Sequence, residues 1–173
     1  MICNDMISLT YALPGAVIGL SLIILVTSSP DTINPNIFIG SFFLLIYAYS
    51  IRHMAVGISP LKSSFEKHPN SYDDTGINLG LTPFRLFKKI HLPINKSAIL
   101  IAFLLCFIDI MKELPITLIL RPFNFDTLAV QTYQYAIEEM IPKSAIYSLT
   151  IVMIGSILLI FLKKIVNKQI NVS

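Results

Sequence analysis

Apolar residues gather into four runs, with one long polar stretch between the second and the third. The first run, from Met6 to Pro30, carries no charge and centres on YALPGAVIGLSLIILV. The second is uncharged from Thr32 to Ile51, and the third opens at Ser97 (SAILIAFLLCFI) and meets Asp109 after 12 residues. The fourth, Ser144–Leu162, gives 19 uncharged residues, about 28 Å as a helix. A hydrocarbon core of ~30 Å needs about 20 such residues. The first, second and fourth runs therefore suffice on length alone, and the third does so only if it tolerates charge. The pattern predicts an all-α integral membrane protein of about four transmembrane helices, with spans near 7–29, 33–54, 94–112 and 144–162 and a polar loop at 60–93.

Composition agrees. Of 173 residues, 54% are hydrophobic and 13% charged, against about 25% charged in globular proteins. Mean hydropathy is +0.72. A soluble enzyme, a disordered segment and a nucleic-acid binder are all disfavoured, and the bilayer itself is the first expected partner. The first run does not read as a secretory leader, because MICND holds an acid and no base. Cys3 and Cys106 cannot make a disulfide scaffold and read as core thiols.

The few charges are sorted. Seven of the 13 bases (Arg52, Lys62, Lys67, Arg85, Lys88, Lys89 and Lys96) lie between the second and third runs, and Lys163, Lys164 and Lys168 follow the fourth. The positive-inside rule puts both segments in the cytoplasm. Asp31, Asp126, Glu138 and Glu139 mark the opposite side, against Arg121 and Lys143. Four crossings with the N-terminus inside satisfy this arrangement.

The inner loop divides at a glycine. Ser71 is a good N-cap, and Asp73 and Asp74 fall in a first turn, where the helix dipole favours acids. Gly80 is suited to an αL cap, and Thr82-Pro83 opens a second helix with proline at its first position. Phe84, Phe87, Ile90 and Leu92 form its apolar side and Arg85, Lys88 and Lys89 its basic side, with Leu92-Pro93 closing it. Two readings fit: an interfacial connector lying on lipid headgroups, or a compact knob presented to a cleft in a partner.

Beyond the third run, Asp109, Lys112 and Glu113 are spaced to share one helical face. Lys112 can offset one carboxylate, and Pro115 then interrupts the helix. Leu114–Leu120 is apolar but only 7 residues long, which suits a re-entrant or broken segment buried in protein. The trio reads either as a structural ion cluster at the outer end of the helix, with Lys112 snorkelling, or as part of a solute path beside a broken helix.

The stretch Asp74–Pro93 resembles the EAA loop of binding-protein-dependent ABC transporter permeases. Asp74, Thr75 and Gly76 stand at its acidic-small-small positions, and Gly80, Ile90, Leu92 and Pro93 follow at its spacings. The run KELPITLILRPFNFDTLA resembles the matching stretch of iron(III)-type permeases, and Tyr11, Pro14 and Gly15 in YALPGAVIG resemble that family's Tyr-Ala-Ile-Pro-Gly helix. The resemblance covers about Leu9 to Leu162. It implies a type I ABC importer permease-like fold at the cell inner membrane and a function in iron(III) uptake, in which the loop is a coupling helix. Asp74, Thr75, Gly76, Gly80, Ile90, Leu92 and Pro93 are then the docking residues for an ABC ATP-binding subunit. Asp109, Lys112, Glu113 and Pro115 are the candidates for the translocation path.

A periplasmic solute-binding protein and a further permease segment or second permease copy are implied as partners. Residues 1–173 match only the last part of one permease half, so the chain is expected to be a partial transmembrane domain, either a split permease part or a decaying remnant. Thiamine, polyamine or oxyanion cargo, or a small membrane interaction protein, are the alternatives.

Nothing points to catalysis. There is no GxxxxGK[ST] phosphate cradle, no HExxH and no nucleophile elbow. His53, His68 and His91 lack companions at ligand spacing and are expected in solvated or capping positions. Tyr133 and Tyr135 read as interface anchors. No cofactor or metal is implied.

Overall fold

The structure, a computed structural model, describes residues 12–28, 38–67, 71–78 and 80–170. Expectations placed on Tyr11, Asp31 and His68, and on residues 7–11, 29 and 33–37 of the first two spans, lie outside the described residues. Every regular element among the described residues is helical: α1 (Gly15–Thr27), α2 (Phe42–Phe65), α3 (Ser71–Asn78), α4 (Pro83–Ile94), α5 (Lys96–Met111), α6 (Pro115–Leu120), α7 (Leu128–Ile137) and α8 (Ile141–Ile170).

Phe42–Phe65 and Ile141–Asn167 are each long and apolar enough to cross a membrane, and α4 with α5, bent by 70° between them, makes a third candidate span. α1 has 13 residues, about 20 Å of helix, short of the hydrocarbon thickness.

α2 and α5 form an antiparallel pair. Small residues set their approach: Ala98 and Ala102 are buried on α5, and a Cβ built on Gly57 stands 3.2 Å from Cys106 Sγ. The Cys106 thiol is directed at the His53 carbonyl at 3.7 Å. α1 and α6 cover the first half of α2, and Ile18, Leu22, Leu44, Leu45, Ala48, Ile116 and Leu120 close there into one apolar core. α7 and α8 make a hairpin. Thr127 caps α7 by accepting from the Val130 N–H, Ser144 donates to the Thr132 carbonyl at 2.9 Å, and Tyr135 stacks on Tyr147 at 5.5 Å.

Two sequence expectations change here. The second span was expected to end at 54 with Arg52 counted among the loop charges, but α2 continues to Phe65 and holds Arg52 inside the helix. A charge is tolerable there because it has partners at the same depth, described below. Leu92-Pro93 was expected to close α4, yet the break falls at Asn95. Pro93 has no N–H for a bond back along the helix, and the π turn Phe87–His91 immediately before it absorbs the irregularity.

The α2–α5 register is directly testable. With Cys3 changed to Ser, Gly57→Cys is expected to form an intramolecular disulfide with Cys106 on mild oxidation, seen as a faster band on a non-reducing gel that reverts with dithiothreitol. Two accessible thiols that never couple would contradict the register.

Candidate functional site

The site begins where α5 breaks. α5 ends at Met111, and Pro115 opens α6 at its first position. Between them Glu113 turns inward, only 8% exposed. Its Oε2 accepts from Arg52 Nε at 3.3 Å, and Arg52 Nη1 also donates to the Leu13 carbonyl at 2.5 Å. The planar guanidinium suits this work because its fixed fork of donors reaches two acceptors at once. Glu113 Oε1 faces the Ile116 N–H at 3.5 Å, placing a carboxylate at the positive end of α6. Thr117 Oγ1 donates to the Glu113 carbonyl at 2.8 Å, so the 2.5 Å contact from Tyr49 must have the tyrosine hydroxyl as donor. One ion pair thus joins the start of α1, the middle of α2 and the start of α6.

Gly15 makes this possible. A Cβ there would lie 2.7 Å from Glu113 Oε1 and 3.1 Å from Ile116 Cγ1.

The predicted trio is therefore divided. Lys112 Nζ pairs with Asp109 at 2.8 Å, while Glu113 leaves them for Arg52. The helix stops before all three can share a face, and the break lies level with the middle of α2. Pro115 is exposed. Past α6, Arg121 and Asp126 form an ion pair, Asp126 also accepts from Gln131 Nε2 at 2.8 Å, and Asn124 adopts φ 59°. The turn packs Phe125 against Phe42 at 4.8 Å and leaves Phe123 fully exposed. Sequence reading counted Arg121 and Asp126 only as side markers; their separation by a Pro-Phe-Asn-Phe turn was the available signal for a clamp.

The elbow α3–α4 is the second part. Asp73 and Asp74 occupy the first turn of α3 as expected, and Thr75 lies within that helix. Leu81 donates to the Gly76 carbonyl at 3.0 Å and Gly80 takes φ 71°, the six-to-one bond and left-handed residue of a Schellman cap. Gly76 is buried, and a Cβ on it would sit 1.9 Å from Leu86 Cδ1 and 3.5 Å from Ile90 Cδ1. Leu86 and Ile90 thus make the face toward α3, whereas Phe84 and Phe87, expected beside Ile90 on one apolar side, are 75% and 51% exposed. Leu92 and Pro93 are exposed as well.

Asn95, which the sequence did not single out, locks the bend. It is 2% exposed, its Nδ2 donates to the His91 carbonyl at 2.8 Å, and its own carbonyl accepts from Ile99 at 2.9 Å.

The histidines also depart from expectation. His91 Nε2 meets Asp73 Oδ1 at 2.8 Å with its ring 5.7 Å from that of Phe65, so it ties α4 to α3 and to the end of α2. His53 is buried in α2 with neither ring nitrogen bonded.

Over nine-tenths of its length the chain is similar to an iron-transport permease. The relative is the Fe(3+)-transport system permease protein FbpB 2 of Haemophilus influenzae, 30% identical over 156 residues, which cover 90% of this chain and 30% of that protein. The maltose/maltodextrin transport system permease protein MalG of Photorhabdus laumondii is 33% identical over 92 residues, 53% of this chain and 31% of its own. MalG of Escherichia coli K12 gives the same identity over the same length. The chain spans about three-tenths of the length of these curated relatives. No protein-family model matches it. The similarity supports the permease resemblance drawn from the loop and the hairpin, and each of these relatives is named as a permease protein of a transport system. Among the described residues the chain is all-α, with two helices long and apolar enough to cross a membrane and a bent pair as a third candidate.

Two glycines give a contrast. Gly15→Val is expected to lower the melting temperature in detergent by several degrees, since its side chain must displace Glu113 or Ile116. Gly155→Ala, whose Cβ would meet only Met111 Cε at 3.9 Å, is expected to be neutral or to stabilise by up to about 1 kcal/mol. Equal effects in a thermal scan would contradict the close approach at Gly15.

Proposed function

We propose that the chain is the permease component, or one segment of the permease, of an ABC importer in the inner membrane, with iron(III) as cargo. The single observation that carries this reading is the similarity over 90% of the chain to FbpB 2, a protein named for Fe(3+) transport. The elbow geometry supports it: a Schellman-capped α3, held on α4 by Gly76, is joined to α5 through the buried Asn95. In this reading an ATP-hydrolysing subunit docks on the knob formed by Asp74, Thr75, Gly76 and Gly80. Ile90 holds the knob on α4, and Leu92 and Pro93 carry its movement toward α5. A solute-binding protein delivers cargo from outside, and the remaining crossings come from a further permease segment or a second copy.

Asp109, Lys112 and Pro115 stay candidates for the path lining beside the break. Glu113 serves as the latch that fixes it. The four-crossing arrangement, with α1 as the first span and residues 60–93 inside, belongs to the same proposal. MalG similarity leaves maltodextrin as the alternative cargo class.

Gly80→Val tests the docking role. A β-branched residue at φ 71° is strained by about 1–3 kcal/mol, and no neighbour lies within 4 Å of its Cβ to obstruct packing inside the chain. Membrane insertion is expected to persist while co-purification of the ATPase subunit falls severalfold and radioiron uptake is lost. Undiminished co-purification would remove the docking assignment, and uptake of maltodextrin without iron would replace the cargo.

A further inference from the structure

α4 carries more than the knob requires. Its exposed apolar side chains, Phe84, Phe87 and Leu92, point away from the seam that Leu86 and Ile90 make with Gly76. Arg85, Lys88 and Lys89 are exposed beside them, and Lys96 follows just past the bend. The residues from Thr82 to Lys96 include four bases and no acid. Bases at i, i+3 and i+4 share a side of a helix, as do the phenylalanines at i and i+3. The 70° bend at Asn95 sets α4 across α5. With α5 crossing the bilayer, α4 lies closer to the membrane plane than to its normal. The buried Asn95 and the His91–Asp73 bond hold that attitude from both sides.

We infer that α4 is a lipid-surface helix: Phe84, Phe87 and Leu92 enter the acyl boundary of an anionic leaflet, and Arg85, Lys88, Lys89 and Lys96 contact its phospholipid phosphates. Aromatic anchors flanked by bases on a helix lying in the plane are the arrangement such a surface binds. The charge match to anionic headgroups selects lipid over an apolar protein cleft. The elbow then works between two surfaces, with α3 presented to the cytoplasm and α4 resting on the bilayer.

The chain has no tryptophan, so Phe84→Trp and Phe87→Trp each supply a single reporter in the full-length protein. The protein is reconstituted in phosphatidylcholine bilayers with and without phosphatidylglycerol. The expected result is quenching of both reporters by lipids brominated near the headgroup end of the acyl chain, with shielding from aqueous acrylamide, both stronger in the anionic bilayer. Arg85→Gln, Lys88→Gln and Lys89→Gln together are expected to remove that anionic advantage, about fivefold in partitioning for each base. Reporters open to acrylamide and untouched by bromolipid in both bilayers would overturn the inference. Shielding that arises only when the ATPase subunit is added would overturn it too, by making this face a protein contact.

Discussion

Arg52 and Glu113 meet at 3.3 Å halfway along a helix of membrane-crossing length, and much of the fold is arranged around the consequence. Charges at such depth persist only when paired and further hydrogen bonded. The remaining valences are filled by backbone from two other segments, the Leu13 carbonyl before α1 and the Ile116 N–H in α6. Each partner imposes a condition. α1 must begin beside α2, which requires glycine at position 15; α5 must stop so that Glu113 can turn inward; and α6 must start at a proline that needs no donor of its own. Thr117 donates to the Glu113 carbonyl and Tyr49 to Thr117, so two hydroxyls in series tie α2 to the same turn. A uniformly apolar contact would let α6 slide along α2, whereas this one fixes its register.

Legibility in the sequence followed the range of the interactions. The α3–α4 corner was readable because its determinants are local: acids in a first turn, glycine at the left-handed position, proline at the next helix start. The break after Met111 was readable for the same reason, from Pro115. What escaped was pairing across 61 residues of sequence separation. Arg52 looked like the first base of a loop because it ends an uncharged run, and nothing near it announces Glu113. Glu113 in turn looked like part of a trio because helical spacing was assumed to continue through Lys112. Asn95 and Leu86 were overlooked because a buried asparagine and an unremarkable leucine gain meaning only from what folds against them.

The two halves of the site are mechanically continuous in the proposed function. The elbow is rigid at three points: the Schellman cap of α3, the Gly76–Leu86 contact and the Asn95 bend. Its one exit is α5. At the far end α5 meets the latch, where the chain breaks and the direction of packing changes from α2–α5 to α1–α2–α6. A tilt of α5 driven at the elbow therefore reaches a fixed point at the break. In that proposal Asp109 and Lys112 would move with α5, while Glu113 stays paired with Arg52 on α2. The division of the expected trio thus has a mechanical meaning as well as an electrostatic one.

The most direct measurement is a double-mutant cycle on the latch, reading the melting temperature and unfolding free energy of the full chain in detergent for Arg52→Ala, Glu113→Ala and the pair. Removing one partner leaves a buried charge uncompensated, at a cost of about 3–5 kcal/mol. The account predicts large losses for each single change and a double variant far less damaged than their sum, a coupling of at least about 1 kcal/mol. Small single effects that simply add would contradict it, and would mean that apolar packing alone holds the broken helix in place.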